Sequence, residues 1–120
     1  MKYMLMYIHM NQHMVLFQLL SDPVRTQIVQ VLRGGEQPVS ALVAQVGIAQ
    51  SGVSRHLRIL HAGGVVRVRA RGQQRLYALQ AEPFVALDDW LQGYRALWSG
   101  RLDRMSGALA QRQLKGNQDA

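Results

Sequence analysis

Val53, Leu57 and Leu60 fall at helical spacing in a stretch whose other positions are mostly polar or basic. At about 100° per residue they share one face, and Ser51, Ser54, Arg55 and Arg58 share the opposite one. The pattern predicts a helix over 50–62, held to its own domain by the apolar side and stopped by Gly63-Gly64. Upstream, "MVLFQLL" predicts a helix over 14–20 that ends before Ser21-Asp22-Pro23. Asp22 suits an N-cap and Pro23 the first helical position, where no amide hydrogen is needed. The helix they open carries Ile28, Val31 and Leu32 and stops at Gly34-Gly35. A shorter helix over 39–46 offers Leu42, Val43 and Val46 for burial and ends at Gly47.

Beyond Gly64 the period changes to that of a strand. In "VVRVRA", Val66 and Val68 alternate with Arg67 and Arg69; "RGQQ" supplies a glycine-containing turn, and "RLYAL" returns with Tyr77 and Leu79. Glu82-Pro83 then opens a long helix, predicted over 84–112. On it Phe84, Leu91, Trp98 and Met105 recur every seven residues, flanked by Leu87, Tyr94, Leu102 and Leu109. That apolar stripe is broader than a lone helix needs, and aromatic residues favour interface cores. Leu91, Tyr94, Trp98, Leu102 and Met105 are therefore the expected contacts between two copies. The expected fold is mainly α (α+β): a winged helix-turn-helix with a two-stranded β-hairpin wing and a long C-terminal dimerisation helix. Its expected parts are an extension over 1–13 (disordered or continuous with the first helix), the winged domain over 14–83, the dimerisation helix over 84–112 and a flexible tail over 113–120.

Charge sharpens this picture. Lys and Arg outnumber Asp and Glu by 14 to 7, and no acidic residue lies between Glu36 and Glu82. The same interval holds Arg55, Arg58, Arg67, Arg69, Arg71 and Arg75. An ordinary solvated face mixes signs, whereas a phosphate-facing surface excludes carboxylates because each would repel the ligand. The 120 residues suffice for one domain with a modest core, and there is no cysteine to form a disulfide or a thiolate site. The apolar run in "MKYMLMYIHM" is too short for a signal-peptide core or a membrane span, so a cytoplasmic protein without membrane association is expected.

"LLSDPVRTQIVQVL", "SGVSRHLRIL" and "GGVVRVRARGQQRLYAL", in this order from about Leu16 to Leu79, resemble the arsenic-repressor (ArsR) family of bacterial transcriptional regulators. The resemblance implies a homodimeric repressor whose second motif helix enters the major groove of double-stranded DNA. It makes Gln50, Ser51, Ser54 and Arg55 the candidates for base edges. An arginine can pair bidentately with guanine and a glutamine with adenine. Arg58, one turn on, is expected to reach phosphate. Arg69, Arg71 and Arg75, with Gln73 and Gln74, are expected to lay the wing along the backbone or the adjacent minor groove. Two departures stand out: Ala49 replaces the capping serine of many members, and Gly52 interrupts the first helical turn. His56, beside the apolar face, is expected to pack rather than ligate.

No metal or other cofactor is expected. Pro38 and Ser40 stand where one family site has cysteines, and the last helix has Asp88, Asp89 and Asp103 but no histidine. His9 and His13, four apart, are at most two ligands. Nor is there a phosphate loop, a nucleophile motif or a carboxylate pair, so catalysis is not expected. Two other readings fit the same residues: a winged-helix module gripping an acidic protein, and sequence-indifferent nucleic-acid binding. A small-molecule inducer is not legible.

Overall fold

The computed structural model describes residues 11–118. Its elements are α1 (Gln12–Leu20), α2 (Pro23–Leu32), β1 (Gln37–Pro38), α3 (Val39–Val46), α4 (Gln50–Ala62), β2 (Val66–Arg71), β3 (Gln74–Leu79), α5 (Glu82–Gln92) and α6 (Ala96–Gln118). Residues through Leu87 form one compact unit and those from Asp88 a second.

The first unit is a winged helix-turn-helix. Asp22 caps α2 as its sequence suggests: one carboxylate oxygen accepts from the amides of Val24 (2.8 Å) and Arg25 (3.1 Å). These backbone bonds, led by that from Arg25, hold the Asp22 carboxyl below the usual range. A cap of this kind is worth about 1 kcal/mol. Arg25 and Thr26 then donate to the carbonyls of Leu19 and Leu20, fixing the corner between α1 and α2. The core is built from Leu16 and Leu19 of α1, Ile28 of α2, Leu42 of α3, and Val53, Leu57 and Leu60 of α4, all fully buried.

The turn between α3 and α4 depends on two glycines. Gly47 ends α3 in the left-handed conformation (φ 77°), which side chains resist. At Gly52, a β-carbon would stand 3.0 Å from the Ile48 side chain, which packs on the core. Gly52 therefore makes room for the turn as well as weakening the helix. Ala49 caps α4 without a side-chain bond, and Ser51 does not take its place as N-cap.

The sheet differs from the predicted hairpin by one strand. β2 and β3 pair antiparallel from Val66↔Leu79 to Arg71↔Gln74, and β1 adds to the other edge of β3 through Gln37↔Tyr77 and Pro38↔Leu76. A two-residue strand has no alternation to detect, and Pro38 can stand there because it lies at an edge.

The predicted helix over 84–112 is broken. Gly93, Tyr94 and Arg95 donate to carbonyls three residues back, at 3.2, 2.9 and 3.3 Å, in a turn that separates α5 from α6. Gly93 is the weakest helix former there, and the chain departs from the helix at that residue. The seven-residue repeat consequently does not run along one rod. Phe84 and Leu87 pack on the core of the first unit, while the second carries the remaining stripe. There Tyr94, Leu97, Trp98, Leu102, Met105 and Leu109 are all exposed, and the rings of Trp90 and Tyr94 meet at a tilt of 54° with centroids 4.8 Å apart. α6 continues to Gln118, so residues 113–118 are helical rather than a tail. Most of the expected extension over 1–13 lies outside the described residues.

Candidate nucleic-acid interface

α4 presents the face its sequence predicts. Val53, Leu57 and Leu60 are buried, while Gln50, Ser51, Arg55 and Arg58 are exposed and Ser54 is half-buried. Because one side is anchored in the core, the polar side is held at a fixed angle to the domain.

Beside that face the wing closes a cleft of about 680 Å3. Gln50, Ser54 and Arg58 line it from α4, and Gln73, Gln74 and Arg75 from the wing. Pro38, Val39 and Ser40, where β1 gives way to α3, and Tyr77 complete the wall. No carboxylate lines the cleft. Six of the ten predicted contact residues therefore meet around one cavity. Ser51 and Arg55 lie on α4 outside its lining, and Arg71 lies at the wing's tip, paired with Gln74. Sequence reading missed Ser40 and Tyr77. Ser40 had one visible signal, a hydroxyl in the first turn of the first motif helix.

Arg69 is not part of that cleft. Opposed residues in an antiparallel pair share a face, so Arg75 sides with Ala70, and Arg69 with Leu76. Arg69 thus leaves the sheet on the side away from Arg75. Its guanidinium donates bidentately to Glu36, at 2.7 Å for both bonds. That interaction, with Arg67 and Arg71 nearby, lowers the Glu36 carboxyl below its usual range. Glu36, which marked only the edge of the acid-free stretch, is in space the wing's counter-ion.

Comparisons with known proteins bear on what such an interface reads. The family model described as "Bacterial regulatory protein, arsR family" matches residues 22–68. The chain is 27% identical over 78 residues to the transcriptional repressor SdpR of Bacillus subtilis, covering 65% of this chain and 87% of that protein. It is 42% identical over 64 residues to the HTH-type transcriptional repressor SmtB of Mycobacterium tuberculosis, 53% of this chain and 47% of SmtB. Among solved structures, an ArsR family transcriptional regulator superimposes with a TM-score of 0.63 at 32% identity, over 72% of this chain and 90% of that one. The chain belongs to the ArsR family. It is accordingly a DNA-binding transcriptional regulator of winged-helix type, and not an enzyme.

Two features of this ArsR-family chain concern ligands and protons. Among the described residues no three His, Asp, Glu or Cys side chains come together as a metal site would require. His13 sits on α1 with its ring edge-on to Phe17, and His9 lies outside the described residues. Nor is any described helix long and apolar enough to cross a membrane.

His56 is 6% exposed, and its Nδ1 has no hydrogen-bond partner among the described residues. Burial pushes its pKa below the usual histidine range; Arg25 and Arg55 add to this, and Asp22 opposes it. Below about pH 6.5 the unfolded chain takes up a proton that the folded chain refuses. Stability is therefore expected to fall as pH drops from there through the lowered folded value. Urea midpoints between pH 7.5 and 5 should decline in the wild type and flatten in His56→Leu. Parallel declines would remove His56 as the cause.

Proposed function

We propose that the chain is a cytoplasmic homodimeric repressor that binds an imperfect palindromic operator and blocks transcription from a promoter. The observation that carries this reading is the acid-free cleft between a core-anchored helix and the wing, lined by Arg58 and Arg75. In this reading α4 enters the major groove with Gln50, Ser51, Ser54 and Arg55 toward base edges. Arg58 meets phosphate, Gln73, Gln74 and Arg75 follow the backbone or the neighbouring minor groove, and Arg71, on the Arg69 face of β2, joins them only from the wing's tip. Repression is the activity named for SdpR and SmtB.

A second copy would cover the stripe on the second unit. Trp98, Leu102 and Met105 stand 36%, 53% and 62% exposed, a spacing of four and three residues suited to a helix–helix seam. Tyr94 and Leu91 extend it across the turn. Two recognition helices would then meet half-sites about 34 Å apart.

The test is retardation of the DNA upstream of the chain's own gene. A complex that survives excess random duplex is expected. Equal loss to any competitor would leave sequence-indifferent binding, and no complex at moderate salt would favour the protein-interaction module.

A further inference from the structure

Two hydroxyl groups in the cleft wall, those of Tyr77 and Ser40, have no hydrogen-bond partner among the described residues. The Tyr77 ring packs on the core, and the residue is only 9% exposed. Its hydroxyl is nevertheless not sealed in, because among the described residues His56 Nδ1 is the one buried side-chain polar atom without a partner. The tip of the ring therefore meets solvent, and the cleft is where it does so. A ring with two torsions, clamped in a core, presents its hydroxyl at a fixed point, where an arginine sweeps a wide arc.

The sheet sets what stands around that point. Arg75, two residues before Tyr77, leaves β3 on the same face. β1 pairs with β3 through Gln37↔Tyr77 and Pro38↔Leu76, which brings the start of α3 alongside. α3 begins with no side-chain cap and no acidic residue in its first turn, so the positive end of the helix is uncovered, and Ser40 is its second residue. No carboxylate lines the cleft to accept from these donors. A base edge offers donors as well as acceptors, whereas a phosphodiester offers only acceptor oxygens and negative charge. We propose that Tyr77 is a positioning residue: with Ser40 and the first turn of α3 it holds one backbone phosphate at a fixed point, which sets how α4 lies in the groove. The proposal rests on the DNA-binding reading of the cleft and adds to it a contact that is neutral on the protein side. Arginine contacts release counterions and steepen the salt dependence; a phenol donates a hydrogen bond without doing so.

The experiment is operator binding by the full chain, across a salt series and with single backbone phosphates replaced by neutral methylphosphonates. Tyr77→Phe keeps the ring in the core and loses only the hydroxyl. Its affinity should fall about a hundredfold or more, since the dimer loses two hydrogen bonds to charged groups, while the salt slope stays that of the wild type. At one position in each half-site, the methylphosphonate should weaken the wild type at least about tenfold more than it weakens Tyr77→Phe. Ser40→Ala should show the same coupling at the same position. A reduced salt slope in Tyr77→Phe would mean that Arg75 had moved with the wing, and would overturn the proposal. So would coupling of Tyr77 and Ser40 to different phosphates, or to none. Wild-type binding matched by Tyr77→Phe would remove the proposal alone; a wild type that bound no duplex would remove the DNA-binding reading and the proposal with it.

Discussion

Replacing Leu57 with alanine is expected to lower the unfolding free energy by about 2–5 kcal/mol. Leu57 is fully buried, on the face of α4 that Val53 and Leu60 also press into the core. Truncation removes apolar contacts and leaves a cavity among neighbours drawn from several elements, which cannot all collapse into it. Domains of this size have only about 5–15 kcal/mol to lose, so the change should move the urea midpoint by a large fraction of its value. It should also reach function, because the core behind Leu57 fixes the angle at which Arg58 faces the cleft. A loss below about 1 kcal/mol, with the denaturant slope unchanged, would mean that α4 is not anchored as described.

The second large effect is expected at the cleft. Arg58→Ala/Arg75→Ala should weaken operator binding on the order of ten-thousandfold or more, since the dimer loses four contacts and hydrogen bonds to charged groups are worth about 1.5–3 kcal/mol each. It should also lower the slope of log affinity against log salt by about 3.6, about 0.9 for each of the four phosphate contacts that the dimer loses. Both side chains are exposed, so folding should survive. The matching control is Arg69→Gln/Glu36→Gln, which removes the far-side ion pair as a unit with no change in net charge. Its salt slope should match the wild type. Filter binding across a salt series measures all three. A control that lost as much slope as the cleft variant would put the phosphate-facing side of the wing where Arg69 is.

What could be read in the sequence was local. The Asp22-Pro23 start of α2, the 50–62 span of α4 and the β2–β3 hairpin all rest on capping, periodicity or turn chemistry within a few residues, and each matches the structure. What could not be read was mostly non-local. β1 exists only through its pairing with β3. Arg69 is taken by Glu36, thirty-three residues away in sequence. Strand alternation alone separates Arg69 from Arg75, but grouping arginines by charge overlooked it. The break at Gly93 had a local signal in the glycine itself, outweighed by a seven-residue repeat that looked continuous. Gly52, read as a weak point, leaves room for the Ile48 side chain four residues earlier, a fit set by the geometry of the turn rather than by any residue type.

The claim on which the rest depends is that one side of the wing, and not the other, closes on a duplex with α4. Side-chain Nε–Hε resonances of the arginines, followed by NMR as operator DNA is added, test it directly. Arg58 and Arg75 should shift together and saturate at the same ratio of DNA to protein, while Arg69 keeps its position. Movement of Arg67 and Arg69 with Arg58 and Arg75 unmoved would contradict the account.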